Sequence, residues 1–137
     1  MSQTFSGVVP ETRGEETIWF DQCQKGKLSI LKCLECKSFS FFPTSVCRNC
    51  SSRAVELADA DGRGIVHTFS WVYRAPHGFE TSVPYNIAIV ELFEGVKLMS
   101  RVVCDEDTLR CGLEVQLSFA KIAPNFQVPI FVPSGKR

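Results

Sequence analysis

From Gly64 onward, apolar and polar residues alternate with the period of a β-strand. Ile65, His67, Phe69, Trp71 and Tyr73 fall on one face, and Val66, Thr68, Ser70 and Val72 on the other. Tyr85 to Phe93 is almost continuously apolar, the pattern of a strand covered on both faces. Glu94-Gly95 then predicts a tight turn into a third strand, Val96 to Cys104. Leu113, Val115, Leu117 and Phe119 alternate in a fourth. Val128, Ile130 and Phe131 predict a fifth, which Pro129 and Pro133 confine to a sheet edge because proline cannot donate to a ladder. Five strands with no helical period between most of them predict a small closed barrel of the OB type.

Upstream the period changes. Ile18, Trp19, Gln22 and Cys23 share one face at helical spacing, which predicts a short helix from Glu15 to Gln24. Thr12 with Glu15 three residues later has the pattern of a capping box; Gly14 between them opposes it. Gly26 is placed to end the helix. Residues 1 to 11 show no period and read as a loose tail. After the helix, Leu28 and Ile30 alternate as in a short strand.

That strand leads into paired cysteines. Cys33-Leu34-Glu35-Cys36 and Cys47-Arg48-Asn49-Cys50 are two C-x-x-C turns, ten residues apart. Each turn lets two sulfurs converge on one ion, and a hairpin between the turns brings the pairs together. One pair alone would equally suit a redox motif; two at this spacing point to structural zinc held by four thiolates, with no open position for substrate. A module this small buries too little apolar area to fold alone, so the metal supplies much of its folding energy. The predicted fold is therefore mainly β: a short N-terminal helix, a four-cysteine zinc ribbon and a five-stranded OB-like barrel. The expected divisions are 1–27 for tail and helix, 28–60 for the ribbon and 61–137 for the OB-fold domain. Phe39, Phe41 and Phe42, followed by Pro43, occupy the middle of the ribbon. They either cover its face against the barrel or grip another protein. Trp19 carries the same two expectations, a partner contact or packing on its own domain.

Composition narrows the function. The chain has 137 residues, 45% of them hydrophobic, enough for one ordinary domain or a metal module beside a small one. Fifteen Lys+Arg balance fifteen Asp+Glu, whereas binding to bare phosphate backbones needs a basic surface. The N-terminus shows no basic region followed by an apolar run, and no apolar stretch approaches a membrane span. Seven cysteines without secretory features fit a reducing compartment, so the expected location is the cytoplasm, with no membrane partner. Cys23, Cys104 and Cys111, outside the zinc set, read as small apolar side chains in or near a core.

A catalytic set is hard to find. Of two histidines, His67 belongs to an alternating strand and reads as half-buried, while His77 sits in a loop where it could face a ligand. Nucleophile-elbow, phosphate-loop and dinucleotide motifs are missing from the sequence. Asp105-Glu106-Asp107 reads as a solvated turn. Phe69, Trp71 and Tyr73 are either core residues or a platform for stacking bases, the second requiring a positive groove. The chain is not expected to be an enzyme by itself. The alternative function is a zinc-ribbon OB protein that binds single-stranded nucleic acid, which the balanced charge opposes.

The motifs also occur in a distinctive order. The Trp19-Phe20 helix ends at Gly26-Lys27-Leu28, and the four-cysteine ribbon carries Phe42-Pro43. Gly62-Arg63-Gly64 precedes a strand, and Pro84-Tyr85-Asn86-Ile87-Ala88-Ile89-Val90-Glu91-Leu92 leads to Glu94-Gly95. Leu109-Arg110-Cys111-Gly112 and Pro129-Ile130-Phe131-Val132-Pro133 follow. This order, over nearly the whole chain, resembles the acyl-CoA-associated family with a rubredoxin-like zinc ribbon and a C-terminal OB fold. Lys37 stands where that family commonly has glycine, and Thr44 where it commonly has arginine. The resemblance implies a non-catalytic accessory subunit that forms a hetero-oligomer with a thiolase-type enzyme, whose own cysteine and histidines do the chemistry. Such pairs include acyl-CoA thiolases, steroid side-chain aldolases and hydratases, and benzoylsuccinyl-CoA thiolase. It also implies an acyl-CoA thioester as a shared ligand, for which the candidate contacts are Arg74, His77, Phe79 and Tyr85 in one loop. Trp19, Phe39, Phe41 and Phe42 are the candidate partner anchors, aromatic side chains being the commonest such anchors.

Overall fold

A computed structural model describes residues 3–4, 9–11, 14, 16–41, 44–74, 76–77 and 84–134. Helix α1 spans Glu16–Gln24, within the predicted range. Its proposed capping pair, Thr12 and Glu15, lies outside the described residues; the first turn is closed by the Thr17 N–H donating to the Gly14 carbonyl at 3.0 Å. Gly26, at φ 80°, ends the helix. The Lys27 N–H returns to the Gln22 carbonyl at 3.0 Å, the six-to-one bond of a Schellman stop, and glycine takes the left-handed position without a Cβ penalty. The buried side of α1 is Trp19 and Cys23 with Phe20 beside them, whereas Ile18 is exposed. The buried face is thus rotated by about one residue from the predicted one: Phe20, its ring 5.5 Å from that of Phe126, packs beside the core in place of Ile18.

The ribbon is a three-stranded antiparallel sheet. Its centre is β2 (Ser29–Cys33), flanked by β3 (Phe39–Ser40) and β4 (Val55–Asp59). Strand β4 was not foreseen, since Val55, Leu57 and Ala58 are interleaved with acidic residues and are only half-buried.

The barrel strands are β5 (Arg63–Val72), β6 (Tyr85–Leu92), β7 (Lys97–Ser100), β8 (Glu114–Ala123) and β9 (Phe126–Pro133). They pair antiparallel, with β5 joined to both β6 and β8, β6 to β7, and β8 to β9. The predicted closed barrel is a sheet curled into a half-barrel. Its two ends, β7 and β9, part from each other and meet again beyond β7 at one parallel bridge, Val102 with Phe131. There the Phe131 N–H donates to the Arg101 carbonyl at 2.9 Å, and the Val103 N–H to the Phe131 carbonyl at 2.8 Å. Strand β9 meets β8 along one side with Pro129 opposite Phe119, in keeping with the edge position that its prolines predicted. The tail read as loose contributes a strand, β1 (Gln3–Thr4), pairing parallel with β8 at Ala120 and Lys121.

Two features depart from the sequence pattern. The register of β5 slips between Val66 and Thr68, a β-bulge centred on His67. Val66 points into the core before it, and Phe69 and Trp71 pack against the core after it. One inserted residue reverses which parity faces inward, so the single alternating face from Ile65 to Tyr73 does not exist; His67 is exposed rather than half-buried, and so is Tyr73. Strand β6, expected to be covered on both faces, buries Asn86, Ala88, Val90 and Leu92 and leaves Ile87 38% exposed. The turn after it is as predicted, with Gly95 at φ 92° and its N–H on the Leu92 carbonyl at 2.8 Å.

One apolar cluster runs through all three regions. Trp19, Cys23, Leu28 and Ile30 join Val66, Val90, Leu98, Val102 and Val115 around Phe131, the largest fully buried side chain. Among the described residues no helix is long and apolar enough to cross a membrane.

Candidate functional site

The two C-x-x-C turns have the same backbone. In each, the residue after the second cysteine returns its N–H to the first cysteine's carbonyl: Lys37 to Cys33 at 3.1 Å and Ser51 to Cys47 at 3.0 Å. Each first cysteine in turn donates its N–H five residues on, Cys33 to Ser38 at 3.0 Å and Cys47 to Ser52 at 2.8 Å. The tight return forces Lys37 and Ser51 into the left-handed region, both at φ 66°. These turns aim backbone amides at sulfur: Cys36 N–H lies 3.4 Å from Cys33 Sγ, and Asn49 N–H 3.3 Å from Cys47 Sγ.

The four sulfurs of Cys33, Cys36, Cys47 and Cys50 lie within 4.8 Å of one another. Across the pairs, Cys33 and Cys50 are 3.6 Å apart and Cys36 and Cys47 are 3.7 Å apart. A zinc ion bound tetrahedrally at about 2.3 Å needs sulfurs roughly 3.8 Å apart, so the donor set fits zinc in both chemistry and size. Side chains reinforce it. The Ser38 hydroxyl lies 3.0 Å from Cys36 Sγ, and the Asn49 amide donates to the same sulfur at 3.5 Å. Those two contacts, Ser38 first, pull the Cys36 thiol down to about 5. Cys50 goes the other way, to about 12: the Ser52 backbone N–H pulls it down, but desolvation and its three neighbouring thiols outweigh that pull. Four thiolates at this spacing need a cation between them.

The remaining candidates divide. Trp19, an expected partner anchor, is 6% exposed, and its indole N–H donates to the Ser29 carbonyl at 2.8 Å. Its ring meets Phe20 and Phe41 edge-on at 4.9 and 5.5 Å. It holds the helix on the ribbon, the second of its two expectations, with its ring buried against the core. Phe41 is half-buried against the same cluster, Phe39 is exposed, and Phe42 lies outside the described residues. Of the candidate ligand contacts, Arg74 and His77 are exposed and Phe79 lies outside the described residues. Of the cysteines expected in a core, Cys23 is fully buried and Cys104 half-buried, but Cys111 is exposed beside the Gly112 turn.

Tyr85, a candidate ligand contact, meets Trp19 and Phe41, both candidate partner anchors, at one place. They line a cavity of about 380 Å³ where β7 and β9 part, roofed by α1 and the ribbon. Arg101 also lines it, with its guanidinium 4.3 Å from the centre of the Tyr85 ring. Sequence reading missed Arg101. Arg101 lies between the end of β7 at Ser100 and the bridge at Val102.

Comparison with known proteins agrees with this architecture. Residues 20–56 match the rubredoxin-like zinc ribbon domain of ChsH2, and residues 58–120 match the ChsH2 C-terminal OB-fold domain. A DUF35 domain-containing scaffold protein of Methanothermobacter thermautotrophicus is 33% identical over 76% of this chain and 80% of its own length. The chain belongs to the ChsH2/DUF35 family. Benzoylsuccinyl-CoA thiolase subunit BbsA of Geobacter metallireducens is 35% identical over 73% of the chain and 68% of that subunit. A probable enoyl-CoA hydratase alpha subunit of Thermomonospora curvata is 30% identical over 91% of the chain, which spans only 39% of that relative. Among solved structures, a chain of the Ltp2-ChsH2(DUF35) aldolase superposes with a TM-score of 0.83 at 28% identity, covering 91% of this chain and 98% of that one. The zinc-ribbon match and the sulfur geometry agree on a structural zinc held by Cys33, Cys36, Cys47 and Cys50.

Proposed function

We propose that this ChsH2/DUF35 chain is a non-catalytic accessory subunit of a thiolase-type enzyme acting on acyl-CoA thioesters. The observation that carries the reading is its full-length likeness to the DUF35 chain of the Ltp2-ChsH2 aldolase, joined to its similarity to a thiolase subunit. The site chemistry supports it, since a zinc with four thiolate ligands has no position left for substrate or water and serves structure. The catalytic groups therefore belong to the partner, and this chain stabilises that partner and helps shape the acyl-CoA entrance. Exposed Phe39 offers apolar anchoring, and the candidate contacts for the CoA thioester remain Arg74, His77, Phe79 and Tyr85, of which Arg74 and His77 are exposed.

Nucleic-acid binding has less support. The aromatics Phe69 and Trp71 pack against the core, which removes the stacking platform, and the exposed Tyr73 hydroxyl donates to the Glu106 carboxylate. The test is co-expression of this chain with the thiolase-like polypeptide of its source, followed by purification through a tag on either one. Co-purification at a fixed ratio, with acyl-CoA activity in the pair that neither polypeptide shows alone, is the expected result. A thiolase-like polypeptide equally active and stable alone, or a chain that carries only nucleic acid, would overturn the proposal.

A further inference from the structure

Strand β7 ends the sheet, with β6 along one side. The Leu92 N–H donates to the Val96 carbonyl at 2.8 Å. The alternation of an antiparallel ladder then turns the backbone groups of Leu98 and Ser100 toward β6, and those of Lys97, Met99, Arg101 and Val103 away from it. Asn86 shows the same parity, since its side chain reaches both backbone groups of Val102 from β6. Arg101 and Val103 are matched on their outer side. The Arg101 carbonyl accepts from the Phe131 N–H at 2.9 Å, and the Val103 N–H donates to the Phe131 carbonyl at 2.8 Å. Lys97 and Met99, next along the same edge, have no such bonds among the described residues.

Strand β9 does not serve them, because its facing groups are taken. The Gln24 side chain of α1 bonds both the N–H and the carbonyl of Gln127, at 2.8 and 3.1 Å. The Ser100 hydroxyl donates to the Pro129 carbonyl at 3.0 Å, and proline has no N–H to offer. One lip of the seam is thus closed and the other left open. The open lip borders the apolar groove that Leu98, Met99, Trp19, Phe20 and Val128 line. Met99 itself is 66% exposed. An occupant that fits both features carries donors and acceptors at strand spacing together with apolar side chains, which describes an extended peptide. Charge selects one residue of it. Lys97 is exposed and makes no ion pair among the described residues, although Glu91 faces it on β6. An acidic residue beside Lys97 is favoured. A second copy of this four-residue edge is disfavoured, since antiparallel self-pairing brings both Lys97 side chains to adjacent positions on one face.

We propose that the free edge of β7 takes up an extended segment of another protein, which adds a strand to the sheet with an acidic residue beside Lys97 and an apolar one beside Leu98. The edge belongs to this chain alone, so the inference does not rest on the thiolase reading. A chain that fails to pair with a thiolase can still bind the strand, and the reverse.

The test uses the full zinc-loaded chain and the capped peptide acetyl-Glu-Val-Val-Val-Glu-amide, whose side-chain pattern is the same in both directions. Titration calorimetry is expected to show saturable binding with a Kd below about 1 mM, and the Met99 amide to exchange more slowly in the complex. Two N-methylated peptides separate strand pairing from general adhesion, one methylated at the first, third and fifth residues and the other at the second and fourth. A strand turns alternate amides to each side, so one form should lose binding and the other keep it. Lysine in place of both glutamates should weaken binding roughly 3- to 10-fold at low salt. Met99→Pro, which removes an N–H that β6 does not use, should abolish binding. Absence of saturable binding, equal behaviour of the two methylated peptides, or indifference to the glutamates would overturn the proposal. So would protection of the Met99 amide that grows with chain concentration and no peptide, which would give the edge to a second copy. The peptide series needs no variant, so a substitution that fails to fold leaves the outcome decided.

Discussion

Single residues carry local costs that the zinc site imposes. Lys37 and Ser51 hold the left-handed conformation after each C-x-x-C turn, where a side chain costs about 1–2 kcal/mol relative to the right-handed region. Lys37→Gly should stabilise the zinc-loaded protein by about 0.5–1 kcal/mol, the strain relief less the extra entropy of glycine in the unfolded chain. Chemical denaturation of the zinc-loaded protein measures it, and a loss of stability would show that the Lys37 side chain does something besides tolerating the turn. Ser51→Gly should behave alike, since both knuckles share one backbone. The sequence already marked Lys37 as standing in a glycine position; that Ser51 is its equivalent emerged only from the matching hydrogen bonds. At Cys23, burial pushes the thiol up to about 12, from a model-peptide value near 9. Folding therefore holds this thiol neutral, and its contribution is complete below about pH 9 and is lost as pH rises toward 12. The unfolding free energy measured in urea should fall across that window by at most about 1.4 kcal/mol per pH unit from this group. Cys23→Ala should flatten the slope, and an unchanged slope would assign it to other groups.

At the scale of elements, one bridge defines the barrel's shape. The seam between β7 and β9 is fastened where Val102 meets Phe131, and Asn86 secures the same place from β6 by bonding both backbone groups of Val102. Asn86 is 2% exposed and Val102 1%, so water cannot replace those bonds. Asn86→Ala should cost about 2–4 kcal/mol, the penalty for leaving a buried N–H and C=O unpaired. Amide exchange should quicken first at Val103 and Phe131, the donors of the bridge; exchange spread evenly over the barrel would mean that Asn86 acts elsewhere. The elements themselves were mostly legible. Alternation and turn residues located the five barrel strands and the helix, because burial of one face imposes a period on the sequence. The bulge at His67 was not legible. It leaves the composition of the strand unchanged and shows only as a slip against β6. Strand β4 escaped for a related reason: both its faces are half-covered, so no strong alternation was required of it.

For the whole molecule, the continuous core from Trp19 to Phe131 couples ribbon and barrel. The zinc-loaded chain should unfold in a single calorimetric transition with matching calorimetric and van't Hoff enthalpies, as a cooperative unit of this size does. Removing zinc with a chelator should release one equivalent of metal and melt the ribbon. It should also shift the fluorescence of Trp19, whose indole is tied to Ser29 and packed on Phe41. Two separate transitions in the loaded protein, or a Trp19 signal indifferent to the metal, would show instead that ribbon and barrel are independent.

The sequence by itself determined the zinc ligands, the mainly β architecture and the family. Ligand spacing, strand alternation and turn glycines are local constraints, written within a few residues of where they act. The tertiary structure alone decided which face of β5 is core, that Trp19 looks inward, and that Tyr85, Phe41 and Arg101 share a cavity. Those facts depend on a bulge, a curl and a bridge that join residues up to a hundred positions apart, and such distances leave no period in the chain.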